Sequence, residues 1–254
     1  MSGLLEVRRE GDVCVVTLRR PEKLNAISTE VERALGSVFD GDMVRTSRAL
    51  VLAGEGRAFS AGADIAELSD RDPGAIMAYY RDTGAVYERF AGLPIPTLTA
   101  IHGYCLGGAL ELALAADFRI ADETAVFGLP EVALGILPSS GGTHRLVRLL
   151  GTARAKELAL LRERLDAQEA LRVGLVTEVV PRGAALARAL ELAQRLAALP
   201  PLAVTLTKEA IDALGESSGE AALLVERLAY AALAQTGEAR AGVDAFARRQ
   251  RHDS

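Results

Sequence analysis

The 254-residue chain has no tryptophan, only two cysteines and three histidines, and aromatic residues make up 4% of it. Cys14 and Cys105 are too few for a disulfide framework or a four-ligand zinc site, and His102, His144 and His252 show no spacing that would bring them to one metal. No metal site is therefore expected. The sequence also lacks any uninterrupted apolar stretch near the roughly 18 to 20 residues of a membrane-crossing helix. Its opening, MSGLLEVRREGD, is too charged for a signal peptide, so residence in the cytoplasm, with no membrane contact, is the expectation. A long basic block is missing too. With a formal charge of −5 this argues against nucleic acid as the main partner, and Arg240, Arg248, Arg249 and Arg251 are too few to reverse it. The glycine pattern of a dinucleotide site is incomplete, because Gly54-Glu55-Gly56-Arg57-Ala58-Phe59 lacks the third glycine. A serine hydrolase built from Ser60 or Ser140 with His102 or His144 is disfavoured as well, since Phe59-Ser60-Ala61-Gly62 lacks the leading glycine of a nucleophile elbow.

What is present is half hydrophobic and one quarter charged, enough to bury the core of one large domain or of one domain with an appendage. Residues 4–9 and 13–18 read as a hairpin turned at Gly11-Asp12. Thr29 with Glu32 reads as a capping box for a helix to about residue 39, and residues 48–53 as a buried strand. Asp72-Pro73 should start a helix running to about Phe90, which Pro94 and Pro96 stop. Strands at 97–101, 117–121 and 176–180 alternate with helices at the glycine pair Gly107-Gly108, at 139–150, at 153–161 and after Asp166, predicting an α/β architecture. Beyond Pro200-Pro201 the chain is helical only. The expected organisation is a core over residues 1–199 and a helical region over residues 200–254. Apolar residues on more than one face, such as Ala221-Ala222-Leu223-Leu224-Val225, suggest packing of that region against another subunit.

Two glutamates carry the chemistry. Glu111 follows the glycine pair in Gly107-Gly108-Ala109-Leu110-Glu111-Leu112, and Glu131 lies in Gly128-Leu129-Pro130-Glu131-Val132. An ionised carboxylate in such apolar surroundings costs several kcal/mol unless paired, hydrated or neutralised, so a fold that keeps two of them is expected to use them. Together with the small-residue turn Phe59-Ser60-Ala61-Gly62-Ala63-Asp64, the two are the parts needed to add water to an activated double bond.

The series Arg20-Pro21-Glu22-Lys23-Leu24-Asn25-Ala26, Ala58-Phe59-Ser60-Ala61-Gly62-Ala63-Asp64, His102-Gly103-Tyr104-Cys105-Leu106-Gly107-Gly108 and Gly135-Ile136-Leu137-Pro138, followed by Gly141-Gly142-Thr143, resembles the enoyl-CoA hydratase/isomerase (crotonase) superfamily, in order over nearly the whole chain. The resemblance implies a crotonase-like spiral of repeated β-β-α turns, then a C-terminal helical region that builds homotrimers, often paired into homohexamers. It also implies an enzyme of acyl-CoA metabolism, fatty-acid or related, whose coenzyme A belongs to the substrate and which needs no other cofactor. By similarity the thioester oxygen is held by the backbone N–H groups of Ala63 and Gly108, Glu111 activates water and Glu131 supplies the α-proton, roles the pair can share or exchange. Leu24, Ala26, Ala61, Asp64 and Ile65 match positions around the adenine and pantetheine. Phe246 and Arg249 match an aromatic and a basic residue that reach a neighbouring subunit's nucleotide, with arginine here in place of lysine. Ala109, Ser139-Ser140 and His144 depart from the usual pattern and leave the preferred acyl group open, with Met77, Tyr79, Tyr80 and Tyr87 as candidate pocket residues within 68–93. The leading expectation is an enoyl-CoA hydratase. The alternatives are a 3-enoyl-CoA to 2-enoyl-CoA isomerase and a non-catalytic RNA-binding relative.

Overall fold

The computed structural model describes every residue except 1–2, 65–66, 68–72, 162–163, 215–218 and 253–254, and among the helical residues whose side chains are not described are Phe246 and Arg249. Strands β1 (Leu5–Glu10) and β2 (Val13–Leu18) form the expected antiparallel hairpin, with Gly11 at φ +60° in the turn and Leu5 opposite Leu18. Along the chain follow β3 (Ala49–Gly54), β4 (Thr97–Ile101), β5 (Tyr104–Leu106), β6 (Phe118–Asp122), β7 (Val126–Gly128), β8 (Leu165–Asp166) and β9 (Glu178–Val180). The main sheet has the order β1-β2-β3-β4-β6-β9 and is parallel from β2 onward, while β5-β7-β8 make a second, smaller sheet.

The apolar runs VCVV, ALVLA and TLTAI are what parallel strands covered on both faces require. The period of two divides them cleanly. Cys14, Val16, Leu18, Leu50, Leu52 and Ile101 enter the larger core, whereas Val13, Val15, Val51, Leu98, Ala100 and Ile120 enter a second one. That second core is closed by helix α8 (Ala185–Ala197), whose Ala185, Ala189, Ala193 and Ala197 form a small-residue stripe one turn apart against the sheet.

The helices before it are α1 (Thr29–Phe39), α2 (Asp42–Arg45), α3 (Pro73–Asp82), α4 (Val86–Ala91), α5 (Gly108–Leu114), α6 (Gly142–Lys156) and α7 (Ala167–Arg172). The capping box of α7 is as expected, with Asp166 and Glu169 bonded reciprocally. That of α1 is not: Ser28 is the cap, its Oγ accepting from the Val31 N–H, and Glu32 is buried and accepts a hydrogen bond from the Tyr79 hydroxyl at 2.5 Å. The single helix expected to reach Phe90 is two helices, because the N–H groups of Thr83 and Gly84 both turn back to the Tyr79 carbonyl and end the ladder. Asp72, its expected cap, lies outside the described residues. Helix α6 begins at Gly142 rather than residue 139, since Gly141 sits at φ +93°, and it breaks at Gly151, where φ is +76°. Wide turns at Glu157–Leu161 follow.

The chain divides into two compact units, Met1–Ala197 and Ala198–Ser254. The second holds α9 (Pro201–Leu214), α10 (Gly219–Leu233) and α11 (Gly237–His252), with Leu223, Leu224, Val225 and Leu228 exposed on α10. Among the described residues no helix is long and apolar enough to cross a membrane.

Candidate active site

The turn at residues 60–64 is stretched between two neighbours. On one side Ala61 donates its N–H to the Leu24 carbonyl at 2.9 Å, Ile27 to Gly62 at 2.8 Å and Asp64 to Ile27 at 2.9 Å. On the other side Ser60 donates to Tyr104 at 2.9 Å, and Leu106 to Ser60 at 3.3 Å, which ties the turn to β5. The Leu24–Ala26 loop is itself fixed by Asn25, a buried residue at φ +54° whose side-chain amide donates to the carbonyls of Glu55 and Ala58, both at 2.8 Å, and accepts the Arg20 N–H at 2.8 Å. Sequence reasoning passed over Asn25. The only local signal was a polar side chain between two apolar ones, and its importance comes from partners some thirty residues away. Asp64 accepts from both terminal nitrogens of Arg20 at 3.2 Å, and Arg20 also holds the Ala26 carbonyl at 2.8 Å, so this carboxylate braces the loop.

Small residues bring two amides together at the end of that turn. Gly62 has φ +102°, and a Cβ there would stand 2.6 Å from the Leu106 carbonyl oxygen. Only glycine allows the approach. The Cβ position of Gly108 lies 3.6 Å from the Ala63 nitrogen, and among the described residues neither the Ala63 nor the Gly108 N–H has a hydrogen-bond acceptor. Gly108 is the first residue of α5, so its bare amide is also at the positive end of a helix. Two amide nitrogens thus lie close together at one small-residue corner.

The glutamates flank this corner. The Gly107 N–H donates to the Gly128 carbonyl at 2.9 Å, which fastens the start of α5 to the end of β7 and carries the following segment, a 3-10 turn at Pro130–Leu134, beside it. Each carboxylate then rests on a glycine of another motif. Glu131 Oε1 lies 3.1 Å from the Cβ position of Gly107, and Glu111 Oε1 lies 2.7 Å from that of Gly142. Glu111 Oε1 accepts two N–H bonds, from Ser140 at 2.8 Å and Gly142 at 2.9 Å, leaving Oε2 for a water. Burial pushes the Glu111 carboxyl up to about 7; the two N–H donors and Arg145 oppose this, while nearby Glu131 adds to it. Burial also raises Glu131, whose Oε2 is enclosed without a hydrogen-bond partner among the described residues. Two carboxyl groups that burial pushes above the ordinary carboxylate range, Glu111 to about 7, therefore border one pair of amides.

The sequence and the fold have counterparts in known proteins. The family model described as enoyl-CoA hydratase/isomerase matches residues 8–253. The chain belongs to the enoyl-CoA hydratase/isomerase family. It is similar to the 2,3-dehydroadipyl-CoA hydratase of Escherichia coli (strain K12), with 36% identity over 254 residues covering 100% of this chain and 98% of that one. It is also 36% identical to the short-chain-enoyl-CoA hydratase of Clostridium acetobutylicum over 243 residues, 94% of this chain and 93% of the relative. Among solved structures, the enoyl-CoA hydratase from Bacillus anthracis superposes with a TM-score of 0.90 at 35% identity, covering 97% of this chain and 96% of the other. The crotonase fold expected from the motifs is thus the fold observed, and the protein is an enzyme, a hydro-lyase, of a family acting on acyl-CoA.

The crotonase-family expectations for other residues divide. Leu24, Ala26, Ala61 and Asp64 come together at the loop beside the amide pair, as the bonds above show. Ile65 lies outside the described residues. Phe246 and Arg249 fall on α11, with their side chains outside the description. Of the pocket candidates, Tyr87 is buried with its hydroxyl 3.2 Å from the Cβ position of Gly108, Tyr80 hydrogen-bonds Ser139, Tyr79 bonds Glu32, and Met77 is exposed. Of the hydrolase candidates, Ser60 and His102 have other partners: Ser60 Oγ accepts from the Gly62 N–H and His102 bonds the Gly56 carbonyl. Among the described residues no three His, Cys, Asp or Glu side chains gather as a set able to hold a metal ion.

Proposed function

We propose that this family member is an enoyl-CoA hydratase that adds water reversibly across the double bond of a trans-2-enoyl-CoA to give a 3-hydroxyacyl-CoA. The observation that carries the reading is the pair of buried carboxyls, Glu111 and Glu131, bordering two amides that have no acceptor among the described residues. A thioester carbonyl placed against the N–H groups of Ala63 and Gly108 gains most from them when enolate charge develops on its oxygen, which is stabilisation specific to the transition state. Glu111, ionised and fixed through Oε1, takes a proton from a water at Oε2 as that water's oxygen bonds to the β-carbon. Glu131, protonated, gives its proton to the α-carbon as the enolate collapses. One turnover leaves the proton on Glu111 and the charge on Glu131, and proton transfer between the two resets the site. No electron transfer occurs, so the reaction requires no redox cofactor, and the two amides would supply the carbonyl polarisation that a Lewis acid gives elsewhere.

Coenzyme A would lie along Leu24, Ala26, Ala61, Asp64 and Ile65, with Phe246 and Arg249 reaching the nucleotide from a neighbouring subunit. The exposed Leu223, Leu224, Val225 and Leu228 support a homotrimer or homohexamer, which light scattering on purified protein would test. The reading of the reaction is tested by supplying crotonyl-CoA and, separately, a 3-enoyl-CoA. Hydration of crotonyl-CoA, lost in both Glu111→Gln and Glu131→Gln, is the expected result. Double-bond migration in the second substrate with little hydration of the first would make the protein an isomerase, and salt-dependent RNA binding with neither reaction would make it a non-catalytic relative.

A further inference from the structure

Glu111 owes its orientation to the loop at residues 138–141, and that loop is anchored from outside the site. Arg145, on the first turn of α6, donates from Nη1 to the Ser140 carbonyl at 3.1 Å and from Nη2 to Glu88 of α4 at 2.8 Å. Ser140 in turn gives its N–H to Glu111 Oε1 at 2.8 Å. The guanidinium lies so close over Gly141 that a Cβ there would overlap Nη1, and the φ of +93° at Gly141 independently requires glycine. The Arg145 side chain is largely enclosed, 11% exposed, whereas that of Glu88 is 64% exposed, so the chain of contacts runs from the surface to the buried carboxylate. A second tie, from Tyr80 on α3 to Ser139, reaches the adjacent residue of the same loop.

From this we propose that Arg145 is a positioning residue of the hydration site, holding the Ser140 peptide in the one orientation that aims its N–H at Glu111. Arginine suits the task because its rigid planar fork offers a separate terminal nitrogen to each acceptor in a fixed geometry, where an ammonium has one nitrogen on a flexible stem. Among the described residues, the charged and titratable groups that act on Glu111 from the surrounding elements are Arg145 on α6, Glu131 on the 3-10 turn and Tyr87 on α4, and of these Arg145 alone is cationic. Arg145 therefore acts twice on the same carboxyl, through the peptide it holds and through its charge. The inference deepens the hydratase reading and rests on it for its kinetic readout only.

The test titrates Glu111 directly in full-length protein labelled with carboxyl-13C glutamate, with the signal assigned by Glu111→Gln, alongside the pH profile of kcat for crotonyl-CoA. In Arg145→Met the Glu111 midpoint should rise by about one pH unit, since an opposite charge and an oriented donor are both withdrawn. Its kcat at pH 7 should fall about tenfold with KM nearly unchanged, because the nucleophilic water is displaced while the thioester contacts remain. Arg145→Lys should return the midpoint toward the wild-type value without returning kcat. Should Arg145→Met not fold, Arg145→Lys decides alone through its kcat. An unmoved Glu111 midpoint in folded Arg145→Met, or wild-type kcat in Arg145→Lys, overturns the proposal. If wild-type protein hydrates no enoyl-CoA, the hydratase reading is what fails, and the carboxyl titration still decides the role of Arg145.

Discussion

The two glutamates of the site are opposites in how they are held. Glu111 grows from the first turn of a fully buried helix, and two backbone N–H groups converge on one of its oxygens. Glu131 stands on a 3-10 turn outside the main sheet, with one oxygen enclosed and, among the described residues, without a hydrogen-bond partner. A carboxylate that accepts two oriented N–H bonds keeps its lone pairs aimed, as a base directing a water must. One with an unsatisfied buried oxygen favours its neutral form, as an acid giving up a proton must. On the proposed mechanism, the difference in how they are held would fit the two carboxyls to different halves of one addition.

Removing either carboxyl should break this division most severely. Glu111→Gln and Glu131→Gln are each expected to lower kcat for crotonyl-CoA by about 10³-fold, within the range for general acid–base groups. Burst measurements of proton incorporation at the α-carbon in deuterated solvent should then separate them: exchange surviving in Glu111→Gln but not in Glu131→Gln supports the assignment, and the reverse pattern exchanges the roles. The next largest effect is expected from Gly62→Ala. A Cβ 2.6 Å from the Leu106 carbonyl oxygen must push the Ala63 and Gly108 amides apart, and the loss of one aligned donor costs about 10²-fold in kcat.

The pH dependence sharpens the comparison without disabling the enzyme. Glu111 must be ionised to accept the water's proton, so kcat should rise with pH through about 7, where its raised folded value lies. Stability runs the other way. Folded Glu111 keeps its proton up to about 7, whereas the unfolded carboxyl releases it near 4.5, so unfolding free energy falls as pH rises between those values and levels off above them. Thermal melts of Glu111→Gln should accordingly match wild type at pH 5 and exceed it at pH 8; equal melting temperatures at pH 8 would contradict the buried-charge account. The smallest effect is expected from Asp64→Asn, which weakens a largely enclosed ion pair with Arg20 beside the expected coenzyme A loop. It should raise KM about threefold and leave kcat alone, consistent with roughly 1 kcal/mol of loosened loop.

Much of this arrangement was legible in the residues because its signals are local. The Gly-Asp hairpin, the doubly buried strands and the Asp166-Glu169 cap are set by neighbours within a few positions, and each appears where its pattern placed it. Glu111 and Glu131 stood out because charge inside apolar, glycine-bounded sequence needs a reason. What was not legible depends on distant partners. The three-residue strands β5 and β7 are too short for periodicity to show. Thr29 looked like the cap of α1, but Glu32 is claimed by Tyr79 from forty-seven residues away and Ser28 takes the capping position. Asn25 and Arg145 are ordinary letters in the sequence, and only the fold brings them to the carbonyls they hold.

The separation of Glu131 from the sheet has a further consequence. The 3-10 turn at Pro130–Leu134 follows the Gly107–Gly128 peptide contact, packs against the wide turns at Glu157–Leu161 and rests its Glu131 on Gly107, so the proposed acid is carried on a different element from the amide corner. If the proposed mechanism holds, the point of proton delivery and the corner that would hold the enolate are separate parts of the chain, open to separate change.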